Sequence, residues 1–243
     1  MDLTLPDGRR LSWAEHGDPA GAPVVFLPGT PGSPADRPDG NALAGIRLIA
    51  VDRPGYGRST PARRPTLLGV AGDVEVLMRT LGIECFGVAG FSGGAPYAVA
   101  CGARFPHRLT GVVVAAFTGP DRELHTVHGR ERRQVWALRH VPGLGRRYVT
   151  RAAAGYARDD VHRGVAGDWL ATDIHRWSFR LRDVACRVLV WAGRHDPGRA
   201  VPDAPLIAAR LPRAEVRIGE DADHRPSPAD WRSLLEWTTR EPS

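Results

Sequence analysis

The 243-residue chain contains no lysine; all 33 of its basic side chains are arginine. It has only three cysteines, Cys85, Cys101 and Cys186, and no C-x-x-C pair. An odd number of widely spaced thiols excludes a disulfide framework, so three buried, reduced cysteines are expected. The nine histidines show no H-E-x-x-H or comparable spacing, which gives no reason to expect a metal or other cofactor. No apolar run approaches the ~20 residues of a membrane span. The opening Met1-Asp2-Leu3-Thr4-Leu5-Pro6-Asp7-Gly8 lacks the basic and apolar regions of a signal peptide. A cytoplasmic protein without a membrane partner is the expectation.

What is present is ordinary for a soluble domain: 42% hydrophobic and 25% charged residues, in a length that suits one well-buried domain with an insertion. The charge of +6 is unevenly placed. Residues 120–183 hold 13 Arg against 8 acids, while the remainder holds 20 against 19. The arginines show no aromatic interleaving or known motif, which argues against a nucleic-acid partner. Abundant Ala, Gly and Pro beside Arg also fit a codon bias, in which case the basic excess is a solvated surface.

Short apolar runs alternate with helical patterns, the signature of a mainly parallel sheet. Residues 3–5 and 10–15, joined by Pro6-Asp7-Gly8, read as an antiparallel hairpin. Further strands are expected at 23–27, 46–51, 86–89, 109–116, 184–192 and 214–218, and runs this apolar suit strands covered on both faces. Helices are expected at 67–81, where Val70, Val74, Leu77 and Leu81 form a stripe, and at 93–105, 205–211 and 228–240. Residues 120–183 carry no convincing strand, only amphipathic pieces such as 130–141 and 161–177. They read as a helical cap inserted between two strands.

The chemistry centres on Gly90-Phe91-Ser92-Gly93-Gly94, a G-x-S-x-G that follows an apolar strand and opens a helix. A serine on such a tight strand-to-helix turn, a nucleophile elbow, projects its hydroxyl from the sheet's carboxyl edge. The turn is strained, and small neighbours relieve the crowding. The helix start supplies backbone N–H groups where negative charge develops. The strand 24–27 runs into Pro28-Gly29-Thr30-Pro31-Gly32-Ser33, and the amides of Thr30 and Gly93 are candidates for a two-donor oxyanion hole. Each such donor typically contributes about 3 kcal/mol to transition-state stabilisation.

In order along the chain stand L-P-G-T-P-G-S at 27–33, D-R-P-G-Y-G-R-S at 52–59, G-F-S-G-G at 90–94, G-R-H-D at 193–196 and D-H at 223–224. In this order the sequence resembles the α/β-hydrolase family, in its serine-nucleophile branch. The resemblance implies an α/β fold: an eight-stranded, mostly parallel sheet flanked by helices, with a short helical cap after strand 6. The core is then 1–119 and 184–243, and the cap 120–183. It also implies a catalytic triad of Ser92, Asp196 and His224 in the family's order. Asp196 also stands just beyond a predicted strand, with Val201-Pro202 downstream; Asp121, after the strand 109–116, is the rival acid. The family's glycine before the histidine is replaced by Asp223, and its histidine before the oxyanion-loop glycine by Pro28. Residues 52–59 resemble the family's structural loop and are read as architecture, since no G-K-[ST] follows.

The function implied is a serine hydrolase of the carboxylesterase kind. It would cleave a small-molecule ester, thioester or lactone through an acyl-enzyme on Ser92, as a monomer or homodimer. The rivals are a biosynthetic enzyme on the same fold (a cyclase, lyase or acyl transferase) and a non-catalytic small-molecule binder, which has no need of all three triad residues. Phe91, Trp136 and Trp169 are candidate substrate contacts. Trp136, Tyr148, Tyr156, Trp169 and Trp177 are the cap's aromatics, equally open to a plain packing role.

The basic cap segment leads to a first prediction. A positive field over the cleft raises the capture rate of an anionic substrate and is screened by salt. kcat/KM for a carboxylate-bearing ester is expected to fall from low to high ionic strength, while that for a neutral analogue stays flat. Equal salt responses would mean that the arginines have no part in steering.

Overall fold

The computed structural model describes residues 1–117, 119, 140–141, 143–156, 161–174, 177–198 and 200–240. Eight strands form one sheet: β1 (Asp2–Thr4), β2 (Arg10–Gly17), β3 (Ala22–Leu27), β4 (Ile46–Asp52), β5 (Phe86–Phe91), β6 (Leu109–Ala115), β7 (Val188–Gly193) and β8 (Ala214–Gly219). Their order across the sheet is β1-β2-β4-β3-β5-β6-β7-β8. β1 and β2 pair antiparallel, as does β2 with β4, and every pair from β4 to β8 is parallel. The central strands are the continuous apolar runs of the sequence, and helices on both faces bury them.

One face carries α1 (Leu67–Thr80), α2 (Ala95–Arg104) and α5 (Ala200–Ala208), and the other carries α6 (Pro228–Thr239). α1 starts where Thr66 accepts from the Gly69 amide at 3.0 Å and buries Val70, Val74 and Leu77. The chain turns away at Gly82, whose φ of +67° a side chain would resist. α6 opens on a capping box, Ser227 with Asp230, with Pro228 in its first turn. It lays Trp231, Leu234 and Leu235 on the sheet, each such side chain contributing about 1.5–3 kcal/mol by leaving water.

Between β6 and β7 the described residues are helical, α3 (Leu144–Tyr156) and α4 (His162–Trp169), followed by a wider turn Leu170–Ile174. Val149 and Ala153 of α3 share one apolar cluster with Val165, Ala166 and Leu170 and with Tyr56 from the turn after β4. The piece expected over 161–177 is helical from His162 through the wider turn to Ile174, and the one expected over 130–141 lies almost entirely outside the described residues.

Other expectations shift. The strand expected from 184 begins at Val188. Leu181–Asp183 form a 3-10 turn instead, and Val184 donates to Leu181 O. Val184 is buried through contact with α2 at Gly102, not through sheet pairing, which is why apolarity alone misled. α5 starts five residues before the expected helix at 205, because Pro202 is tolerated in a first turn. Cys101 and Cys186 are buried, but Cys85 is exposed, in the turn leading into β5. Burial pushes the Cys186 thiol up to about 11 and raises that of Cys101 further. No helix among the described residues is long and apolar enough to cross a membrane.

β5 and α2 meet so closely that Gly90 has no room for a side chain. A Cβ there would stand 2.7 Å from Gly94 O and 2.8 Å from both Ala95 Cα and Ala98 Cβ. Gly90→Ala is expected to destabilise the fold by about 1–3 kcal/mol, read as a lowered urea midpoint at unchanged slope. A stability equal to wild type would show that the junction can yield.

Candidate active site

Ser92 follows β5 and opens the 3-10 turn Ser92–Gly94 that leads into α2. Its φ is +49°, a conformation that costs a non-glycine residue on the order of 1–3 kcal/mol and persists only where the surroundings enforce it. The enforcement is steric. Gly90 lies flush against α2, and a Cβ at Gly94 would collide with the carbonyls of Leu27 and Pro28.

His224 follows β8 in the loop 220–227, and Asp196 follows β7. His224 Nε2 lies 2.9 Å from Ser92 Oγ, and Nδ1 lies 2.9 Å from Asp196 Oδ2. With Nδ1 protonated, the ring donates to Asp196 and accepts the serine proton at Nε2, so the chain can draw a proton off Ser92. The Asp196 carboxylate is 1% exposed, and its other oxygen accepts from the Gly198 amide at 2.7 Å. Asp223 replaces a glycine without loosening the loop. His195 N donates to Ala222 O and Arg194 N to Gly219 O, each at 2.9 Å, so the histidine's loop is laced to the acid's. Glu220 is taken by Arg194 at 2.6 and 2.8 Å, which lowers its pKa. Asp223 accepts from the Arg225 amide. Among the described carboxylates, Asp196 is the one bonded to the imidazole.

Thr30 and Gly93 lie side by side: a Cβ on Gly93 would stand 2.6 Å from Thr30 Cβ and 3.1 Å from its nitrogen. Phe91 is 5% exposed and supports the site from below. Its ring centroid is 5.3 Å from that of His224 and 6.2 Å from that of Trp231, with the Arg225 guanidinium 4.9 Å over it. Trp169 packs half-buried against the cap cluster, and Trp177 stacks on Phe117. Tyr148 is on α3 and largely exposed. Trp136, Asp121 and the side chain of Tyr156 lie outside the described residues.

The sequence reading missed a second constellation. Asp168 of α4 is 3% exposed, as buried as the apolar core. Its carboxylate accepts from Arg53 Nε at 3.1 Å and Nη2 at 2.6 Å, Tyr56 Oη at 2.7 Å, Tyr97 Oη at 2.7 Å and Thr30 Oγ1 at 2.5 Å. Arg53 also donates to the carbonyls of Pro28 and Gly29. Burial works against the Arg53 charge, but the Asp168 carboxylate more than offsets it, and the guanidinium pKa rises. Burial first, then the same carboxylate, raises the pKa of both tyrosines and keeps their hydroxyls as donors. The sequence does contain one signal. Arg53 follows an apolar strand, where a buried guanidinium demands an acid, but nothing in the spacing selects Asp168.

The sequence model of the alpha/beta hydrolase fold family matches residues 22–153, and the chain belongs to that family. Among individual proteins it is similar to the proline iminopeptidase of Neisseria meningitidis serogroup A. The two are 32% identical over 118 residues, 46% of this chain and 38% of that protein. It is also similar to the proline iminopeptidase of Arabidopsis thaliana, 34% identical over 119 residues, 46% of this chain and 31% of the relative. The chain thus spans well under half the length of these curated relatives. Among solved structures, an alpha/beta hydrolase enzyme from a Medee basin deep-sea metagenome library superposes with a TM-score of 0.75 at 14% identity, covering 100% of this chain and 98% of its own. The enol-lactonase from Burkholderia xenovorans gives 0.70 at 20% identity, covering 99% and 100%. At these identities the likeness is one of fold.

Removing the Arg53 guanidinium would strand the Asp168 carboxylate in the interior. Arg53→Met is expected to destabilise the protein by about 3–5 kcal/mol, measured by urea unfolding. A loss under about 1 kcal/mol would show that water or a neighbour takes over the carboxylate.

Proposed function

We propose that the chain is a serine hydrolase acting on a small-molecule ester, thioester or lactone. The observation that carries this reading is the unbroken chain from Ser92 Oγ through His224 to Asp196, with both hydrogen bonds at 2.9 Å. Ser92 Oγ attacks the acyl carbon as its proton passes to His224 Nε2, and the carbonyl oxygen gains the negative charge. The Thr30 and Gly93 amides receive that oxyanion. Collapse breaks the bond to the leaving group, which takes the proton from His224. Water then repeats the sequence on the acyl-enzyme and frees Ser92. Asp196 holds the ring in the required tautomer and stabilises the imidazolium.

A second reading has a specific observation behind it: the curated relatives carry the name proline iminopeptidase. The same attack on an amide needs only that His224 protonate a nitrogen leaving group. The ester reading is preferred because the match spans 38% of the relative's length or less, so most of that protein has no counterpart in the match. A biosynthetic cyclase, lyase or acyl transferase would use the same Ser92 and His224 without releasing a hydrolysed acid.

The test joins covalent labelling to a substrate panel. A fluorophosphonate probe is expected to label the wild type and not Ser92→Ala, and Asp196→Asn to label slower by a factor on the order of 10^3–10^4. In a panel of p-nitrophenyl esters, lactones and prolyl p-nitroanilide, turnover of an ester or lactone is expected to exceed that of the anilide. Labelling that survives in Ser92→Ala would remove the serine from the mechanism, and preference for the anilide would move the assignment to peptide bonds.

A further inference from the structure

We infer that Asp168, although it belongs to the cap and lies outside the triad, is a positioning residue for the oxyanion hole, acting through the side chain of Thr30. This rests on the serine-hydrolase reading of the site. Thr30 is the one partner of Asp168 whose backbone amide lies beside Gly93. Its hydroxyl has a single proton, which goes to Asp168 Oδ2 at 2.5 Å, while its oxygen accepts from Arg53 Nη2 at 3.1 Å. The hydroxyl's one proton and one of its two lone pairs are therefore engaged, which fixes its rotamer. The two residues before it are held by the same pair, since Arg53 takes the carbonyls of Pro28 and Gly29. Three successive residues of the loop thus hang from one buried ion pair.

Stability alone gives a poor account of that arrangement. Burying an ion pair is often no better than packing apolar side chains of the same volume. A carboxylate with five donors offers direction instead: each bond fixes an angle as well as a distance. The cap side of the pair is equally constrained. A Cβ on Gly164 of α4 would touch the Tyr56 ring at 2.5 Å, and one on Gly55 would stand 2.8 Å from Gly164 N. Helix and turn therefore meet backbone to ring and backbone to backbone. α4 has no freedom to carry Asp168 elsewhere, so the carboxylate serves as a fixed reference for the Thr30 amide.

The test uses Asp168→Asn, Thr30→Val and the double variant, each checked for folding by urea midpoint and assayed on the ester the wild type turns over best. Thr30→Val deletes the hydroxyl link but leaves the Arg53–Asp168 pair. Each single variant is expected to lower kcat by about 10- to 100-fold with KM nearly unchanged, since the lost interaction belongs to the transition state. Affinity for a trifluoromethyl ketone, which adds Ser92 and develops an oxyanion, is expected to fall by a similar factor. If Asp168 acts through Thr30, the double variant loses clearly less than the product of the two single losses. Normal kcat in folded single variants, or losses that multiply in the double, would overturn the inference. Should Asp168→Asn fail to fold, Thr30→Val decides alone, and an unchanged kcat there is enough to refute it. A failure of the hydrolase reading shows separately, as fluorophosphonate labelling that Ser92→Ala does not abolish.

Discussion

The contact on which most of the site depends is the buried pair of Arg53 and Asp168. The arginine comes from the turn after β4 and the aspartate from a cap helix 115 residues later. Neither charge is tolerable alone in that interior, so neither partner can be lost cheaply. Around the pair, Tyr97 ties in α2, Tyr56 forms the seat for α4, and the loop 28–30 hangs from Arg53. The helical insertion, the loop after β3 and the helix that follows the Ser92 turn thereby share one electrostatic anchor. Long-range order of this kind comes from few atoms, because the carboxylate's four partners come from three separate places, the turn after β4, the loop after β3 and α2.

Strain and packing act together at Ser92. A side chain with φ of +49° is unfavourable in isolation. The alternatives are closed off by Gly90 pressed against α2 and Gly94 against the carbonyls of Leu27 and Pro28. The glycines contribute closeness of approach rather than flexibility. The same closeness brings the loop after β3 beside the helix start, so two backbone amides from distant parts of the chain become neighbours.

Much of this was legible in the sequence, for identifiable reasons. Apolar runs such as 23–27, 86–89 and 109–116 suit covered strands at that length, and their alternation with helical patterns points to a parallel sheet. The order of five short motifs around Ser92, Asp196 and His224 pointed to the family to which the chain belongs. What stayed illegible was of two kinds. Val184 and Cys186 are apolar and buried yet lie outside the sheet, because burial on an approach segment leaves the same composition as burial in a strand. Asp168 was hidden for a different reason. It is one of 27 acidic residues, the amphipathic pattern of 161–177 gives it no special place, and its partner is fixed only by tertiary structure. Local pattern identifies residues whose role follows from their neighbours in sequence. A buried ion pair between distant segments has no such neighbours.

The lacing between the loops after β7 and β8 has a mechanical consequence. His195 and Arg194 donate across to Ala222 and Gly219, and a Cβ on Gly193 would stand 2.7 Å from Ala222 O. Asp196 and His224 therefore ride on one body, built on two adjacent strands. Ser92 rides on another, anchored in β5 and α2, with β6 standing between β5 and β7 in the sheet. The hydrogen-bond relay consequently has one stiff joint, between carboxylate and imidazole, and one compliant joint, between imidazole and hydroxyl. A displacement of β5 relative to β7 and β8 would lengthen the second while leaving the first intact, so the histidine would keep its orientation with the serine out of reach.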